Sequence, residues 1–303
     1  MIASALFLLA CSGDEAPAHA TAAKTAAPAA AASNVIQIKG SDSEVNLVQR
    51  LAEEFMKGHP EVSISVTGGG SGTGIAALLE GTAQVANSSR DLSGMEKIDG
   101  GRKGLDIKAF VFATDGVAVI VNEASPLAQL TMPQLASLFG GQVTTWDSLG
   151  GAGPVSLYGR QSSSGTYDYF KKAAVGAEYA ASLKQMNGNA QIVEGVRSDT
   201  GAVGYVAAGY LRGENGAGVK PLPLAPADGQ PPVSPVDEAA VLSGAYPLAR
   251  PLYQFINGAP SGALRDFLAY EASAEGQAIV KEMGFYPIDA KGQAANAALV
   301  GGN

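Results

Sequence analysis

Phe110-Val111-Phe112-Ala113-Thr114-Asp115-Gly116-Val117-Ala118-Val119-Ile120-Val121 is a long β-rich stretch interrupted only by Asp115-Gly116. The apolar pattern resumes directly after the interruption, with no Pro- or Ser-rich linker between its halves. A chain of 303 residues is longer than one hydrophobic core usually serves. Together these features predict two lobes that share strands and hinge near Asp115.

On the N-terminal side, Val35-Ile36-Gln37-Ile38 reads as a short strand that stops at Gly40-Ser41-Asp42-Ser43. Apolar residues then recur at helical spacing (Val45, Val48, Leu51, Ala52, Phe55), and Val62 to Val66 alternates as a strand does. The run Gly68-Gly69-Gly70-Ser71-Gly72-Thr73-Gly74 precedes a further helix through Ile75, Leu78 and Leu79. Repetition of strand, turn and helix predicts an α/β layer with parallel strands. On the C-terminal side, helices are expected near Met132–Phe139 and Tyr167–Ala174, and strands near Val155–Leu157, Ala202–Val206 and Leu252–Ile256. Gly213 to Pro235, rich in Gly and Pro, reads as surface loop, and Gly262 to Met283 as helix with a break-tolerant middle.

Composition narrows the chemistry. Hydrophobic residues make up 46% and charged residues 16%, as in a globular protein. A net charge of −8 argues against nucleic acid, which is gripped by basic faces. An anion would have to be held by local dipoles. Cys11 is the single cysteine, so neither an intrachain disulfide nor a cysteine-built zinc cluster is available. Of the two histidines, His19 lies in low-complexity sequence and His59 in a solvated helix end, which leaves a Ser-His-Asp triad without its base. No cofactor and no metal are expected.

Residues 1–10 form a short apolar run, too short to span a bilayer, that reads as a signal peptide. Leu8-Leu9-Ala10-Cys11 resembles a bacterial lipobox, which makes Cys11 the candidate lipidation site, although no Lys or Arg precedes the run. Residues 11–33, mostly alanine with Pro17 and Pro28, have no amphipathic period and read as a tether.

Three turns place hydroxyl residues before a helix: Ser41-Asp42-Ser43, Gly70-Ser71-Gly72-Thr73 and Ser162-Ser163-Ser164-Gly165-Thr166. Helix starts offer unpaired N–H groups and partial positive charge, to which anions bind. Each turn taken alone is better read as an ordinary N-cap. Neither a Walker A loop nor a full dinucleotide fingerprint is present. Arg160, just before the third turn, has the geometry for a bidentate pair with an oxyanion or for an ordinary ion pair.

Gly159-Arg160-Gln161-Ser162-Ser163-Ser164-Gly165-Thr166 resembles the Arg-x-x-x-Ser-Gly-Thr motif of Pst-type phosphate-binding proteins. Asn87-Ser88-Ser89-Arg90, Thr114 to Asn122, Gly201 to Val206 and Tyr246 to Tyr253 are similar to further segments of that family. The matches run in order from about Val35 to Pro287.

The resemblance implies a two-lobed periplasmic-binding-protein type II fold. Its lobe I would comprise residues 34–114 plus 247–303, and its lobe II residues 115–246. It implies a monomer, anchored by lipid to a bacterial membrane in the periplasm or at the cell surface, that closes over inorganic phosphate and delivers it to an ABC permease. By position, Arg160, Ser164, Gly165 and Thr166 would be ligands from lobe II. Ser71 would donate from lobe I, and the turn through Ser41, Ser43 and Glu44 would add a hydroxyl and a backbone N–H. Ser89 stands where some relatives carry an aspartate that accepts the phosphate proton, with Asp115 or Asp91 as possible substitutes. No acid follows Arg160 where relatives often place one. Alternatives on the same fold are a receptor for sulfate, molybdate or arsenate, or a phosphate-sensing or adhesion module. Against a phosphate-ester hydrolase stand the missing metal-ligand cluster, the lack of cysteine in the body and the poorly placed histidines.

Overall fold

The computed structural model describes residues 34–301. The signal-peptide run, the lipobox with Cys11 and the whole of the tether lie outside them. The first half contains β1 (Val35–Gly40), α1 (Val45–Gly58), β2 (Ser63–Thr67), α2 (Ser71–Leu79), β3 (Val85–Ser88), α3 (Gly94–Arg102) and β4 (Ile107–Asn122). Then come β5 (Leu130–Thr131), α4 (Met132–Phe139), β6 (Ser156–Arg160), α5 (Gly165–Phe170), β7 (Lys184–Met186), α6 (Asn189–Ser198) and β8 (Ala202–Ala207). The remainder is β9 (Val219–Leu222), β10 (Leu224–Ala225), α7 (Glu238–Leu242), β11 (Ala249–Asn257), α8 (Gly262–Ala272), α9 (Ala274–Glu282) and α10 (Ala290–Val300).

The main sheet runs β2-β1-β3-β11-β4-β8-β6-β7, with β9 also on β4. The outer strands on both sides are parallel, whereas β4 and β11 run antiparallel to their neighbours. β4 is the pivot of the chain. Its first part pairs with β11 from Ile107 to Gly116, and its second with β8 from Val117 to Val121. The strand passes through Asp115-Gly116 without breaking.

Successive side chains of a strand point to opposite faces. Val117, Val119 and Val121 accordingly enter a core with Leu135, Phe139 and Phe170, while Ala118 and Ile120 meet Ile192, Val193 and Val196 of α6. Phe110 and Phe112 pack with Leu47, Leu51, Phe55 and Phe267 from α1 and α8. With helices on both faces, a strand buried on both sides reads as a continuous apolar run rather than an alternating one. The fold is the two-lobed type II periplasmic-binding architecture.

Two expectations need correction. Gly213 to Pro235 is not simply surface loop: it holds β9 and β10, with Leu222 and Leu224 buried. Pro221 is tolerated because β9 pairs with β4 alone and lies at an edge. The helix expected over Gly262–Met283 is two helices, broken at Ser273, whose side chain caps α9 by accepting from Gly276 N.

Candidate functional site

The three hydroxyl-bearing turns meet between the lobes. α1 begins directly after Ser41 to Glu44, α2 begins at Ser71, and α5 begins after Ser164. Ser164 Oγ caps α5 by accepting from Thr166 N and Tyr167 N. α2 starts from Gly70 at φ +111°, a conformation that a side chain would resist, with Ser163 O only 2.5 Å from where a β-carbon would stand. That close approach permits Gly72 N to donate to Ser163 O at 3.0 Å, and Ser163 Oγ to donate to Gly69 O at 3.1 Å. The glycine-rich loop of one lobe is thereby stitched to the serine-rich loop of the other.

Ser41, Ser43, Ser71, Ser89 and Thr166 gather their hydroxyls into one buried cluster. Ser43 Oγ lies 2.7 Å from Thr166 Oγ1, across 123 residues of sequence. Ser41 Oγ donates to Ser89 Oγ at 3.0 Å, and Ser89 Oγ lies 3.4 Å from both Ser71 Oγ and Thr166 Oγ1. Gly165 packs so closely that a β-carbon would overlap Ser71 Oγ and come within 2.8 Å of Ser89 Oγ.

Arg160 is fully buried at the end of β6. Its Nη2 donates to Asn187 O at 3.0 Å, whereas Nε and Nη1 have no hydrogen-bond partner. Nη1 stands 3.3 Å from Asp42 Oδ2, close enough for an ion pair but not aligned for a hydrogen bond. Burial lowers the guanidinium pKa, and Asp42 opposes the shift. The acid missing from the Arg160 loop is thus supplied by the opposite lobe. Asp42 Oδ2 also accepts from Asn189 N and Nδ2, at 2.8 and 2.7 Å.

Glu44 is buried, and both its carboxyl oxygens lack partners. Burial pushes its pKa well up, and Arg250 counters only in part. A buried carboxyl group with unpartnered oxygens thus stands directly before α1.

Asp115 is engaged by the protein itself. Its Oδ1 accepts from Ala208 N at 3.1 Å, and its Oδ2 from Arg250 Nε and Nη2 at 3.0 and 2.8 Å. It serves as counter-ion to a second arginine, not as a free acceptor. Asp91 is exposed, and its carboxylate pairs with Lys97.

Arg250 was not singled out by sequence reasoning. It is 2% exposed and donates to Ser89 O at 3.0 Å, Thr166 Oγ1 at 3.1 Å and Ser43 Oγ at 3.4 Å. The only signal was its place inside the Tyr246–Tyr253 segment, since no glycine or hydroxyl motif flanks it. A cavity of about 490 Å³ opens beside the cluster, with Ser89, Arg90, Lys172 and Arg250 in its wall.

This geometry collects hydroxyl and guanidinium donors in a buried interlobe seat, which suits a small oxyanion. Fold and site define a solute-binding protein of the periplasmic class, and a family model described as a PBP superfamily domain matches residues 20–275. Over 271 residues the chain is 35% identical to the phosphate-binding protein PstS of Pseudomonas aeruginosa, covering 83% of this chain and 82% of that one. A structure from Clostridium perfringens with bound phosphate superposes with a TM-score of 0.75 at 28% identity, covering 84% of this chain and all of the other. An ABC-type phosphate transport receptor from Vibrio cholerae gives a TM-score of 0.66 at 27% identity, with 84% of this chain covered and all of the receptor. The chain belongs to the family of Pst-type phosphate-binding proteins within the PBP superfamily.

Proposed function

We propose that the protein is the extracytoplasmic receptor for inorganic phosphate of an ABC importer, a binding protein and not an enzyme. The observation that carries the reading is the interlobe seat. Ser41, Ser43, Ser71, Ser89 and Thr166 converge there, and buried Arg160 keeps two guanidinium nitrogens without hydrogen-bond partners. The relatives named above, each described as binding or transporting phosphate, support it.

The lobes, divided near residues 114/115 and 246/247, open about β4 and β11 and close over the anion. Ser41, Ser43, Ser71 and Ser89 serve from one side and Arg160, Ser164, Gly165 and Thr166 from the other. Hydrogen bonds to a charged group contribute roughly 1.5–3 kcal/mol each, and micromolar affinity needs about 8 kcal/mol. A handful of the available donors therefore suffices, and the excess offsets desolvation of the anion and closure. The closed surface is what the permease recognises, and lipidated Cys11 holds the monomer at the membrane outside the cytoplasm.

Calorimetric titration of the purified protein with phosphate tests this, repeated with Arg160→Ala. Saturable heat that the variant loses supports the reading, and no heat from wild type rejects it.

One observation favours a second reading, a receptor for another tetrahedral oxyanion. Among the described residues, both aspartates at the seat are already engaged by the protein. Asp115 serves Arg250, Asp42 serves Asn189 and Arg160, and burial disfavours the charged form of Glu44. Heat from sulfate alone would establish that reading instead.

A further inference from the structure

Arg250 sits on β11 opposite Asp115 of β4, paired with it in strand register. β4 continues into both halves of the sheet and β11 is its partner at the crossing, so this ion pair lies at the pivot where the halves join. Both members are buried, at 1% and 0% side-chain exposure. From the pivot the guanidinium touches Ser43 in the first lobe and Thr166 in the second.

The direction of these bonds is set by chemistry. A guanidinium has five N–H donors and no acceptor, whereas a hydroxyl has one proton and two lone pairs. Ser43 Oγ and Thr166 Oγ1 must therefore both present lone pairs to Arg250, and their protons must turn elsewhere. One proton serves the 2.7 Å contact between the two hydroxyls. The other faces the cluster. Backbone donors do the same for their neighbours: Ser71 Oγ accepts from Ser89 N at 3.1 Å, and Ser164 Oγ accepts from Thr166 N and Tyr167 N. Lone pairs are thus capped from behind, and O–H groups are left to point into the seat. For an anion that polarity is essential, since a hydroxyl that offers its oxygen repels the ligand.

We propose that Arg250, anchored by Asp115, is a positioning residue of the anion seat. It takes lone pairs of Ser43 and Thr166, so that the one hydroxyl proton left over from their mutual contact is available to the ligand. The bond to Thr166 joins the pivot to a residue of the second lobe, so it also ties this orientation to closure. The inference rests on reading the hydroxyl cluster as the anion site. Arg250 touches the anion only through its neighbours and is distinct in role from Arg160.

The test is a double-mutant cycle with inorganic phosphate, measured by calorimetry on wild type, Arg250→Lys, Thr166→Val and the double variant. Circular dichroism monitors folding. Lysine keeps the charge opposite Asp115 but lacks the planar fork that reaches both hydroxyls. Each single change is expected to weaken binding about 10-fold or more, the scale of one charge-assisted hydrogen bond. If Arg250 acts through Thr166, the double variant binds about as weakly as the worse single one. Losses that multiply overturn the proposal, because a merely structural ion pair would act independently of the Thr166 hydroxyl. Should Arg250→Lys fail to fold, Asp115→Asn loosens the same guanidinium. It is expected to weaken phosphate binding while Thr166 is in place and to have no further effect once Thr166→Val is made. An affinity that Asp115→Asn leaves unchanged with Thr166 in place overturns the proposal. Wild type that takes up neither phosphate nor sulfate sinks the site reading itself, which separates that failure from this one.

Discussion

Arg160 Nη1 and Asp42 Oδ2 stand 3.3 Å apart, an ion pair reaching from the end of β6 to the turn before α1. The pair spans the two lobes, and it leaves most of the guanidinium without hydrogen bonds. Such a residue contributes little to the ligand-free fold, because burying a charge costs about as much as a poorly aligned pair returns. Arg160→Ala is therefore expected to leave the melting temperature of the free protein within a few degrees of wild type. The upward shift on adding phosphate, about 2.7 kcal/mol of stabilisation at a hundredfold excess over Kd, should vanish. Differential scanning calorimetry with and without phosphate makes the comparison.

Gly165 is constrained by proximity rather than by its own backbone angles. A β-carbon there would collide with the Ser71 side chain, whose own β-carbon would be 2.9 Å away. Gly165→Ala should fold normally, since the clash exists only when the lobes are shut. It should bind phosphate at least about 100-fold more weakly, given that several charge-assisted bonds depend on closure. Small-angle scattering should find its radius of gyration insensitive to phosphate, and a wild-type-like contraction would contradict this account.

Ser89 occupies the centre of the hydroxyl cluster, within 3.0 Å of Ser41 Oγ and 3.4 Å of Ser71 and Thr166. Ser89→Asp would introduce a carboxylate able to accept the proton of a protonated phosphate and to repel an anion that has none. The ratio of phosphate to sulfate affinity should rise by about 10-fold or more, the scale of one charged hydrogen bond gained or opposed. Competition titrations measure it directly.

Glu271 is buried on α8 and accepts one bond, from Gln254 Nε2 at 3.1 Å. Burial pushes its pKa well above 4.5, with Gln254 opposing. At low pH both folded and unfolded chains hold the proton, and the group costs nothing. Above about pH 4.5 the unfolded chain releases its proton while the folded one keeps it, so stability falls as pH rises toward the folded pKa. Glu271→Gln removes that loss. Its advantage over wild type in urea unfolding should be small near pH 4.5 and grow upward, by at most about 1.4 kcal/mol per pH unit. An advantage that shrinks as pH rises would be inconsistent with a neutral buried acid.

Much of the architecture was written in local pattern. The helix at Met132–Phe139 was expected at those bounds, and β1, α1, β6 and β8 within a few residues, because their periodicity and flanking glycines depend only on near neighbours. β9 and β10 escaped notice because Gly and Pro dominate their surroundings. What makes them strands is pairing with β4 and with β5, and no short window of sequence contains that information.

The site divides along the same line. Ser41, Ser43, Ser71, Ser164, Gly165, Thr166 and Arg160 were legible from sequence because each belongs to a helix-start turn or stands beside one, and a turn is a local device. Whether those turns shared one seat, and which carboxylate faced which arginine, could not be read there. Asp42 meets Arg160, and Asp115 meets Arg250 across 135 residues, only because strand register and lobe packing bring them together. A charge is neutralised by whatever stands a few ångströms away in space, and that distance is a property of the folded chain rather than of its order.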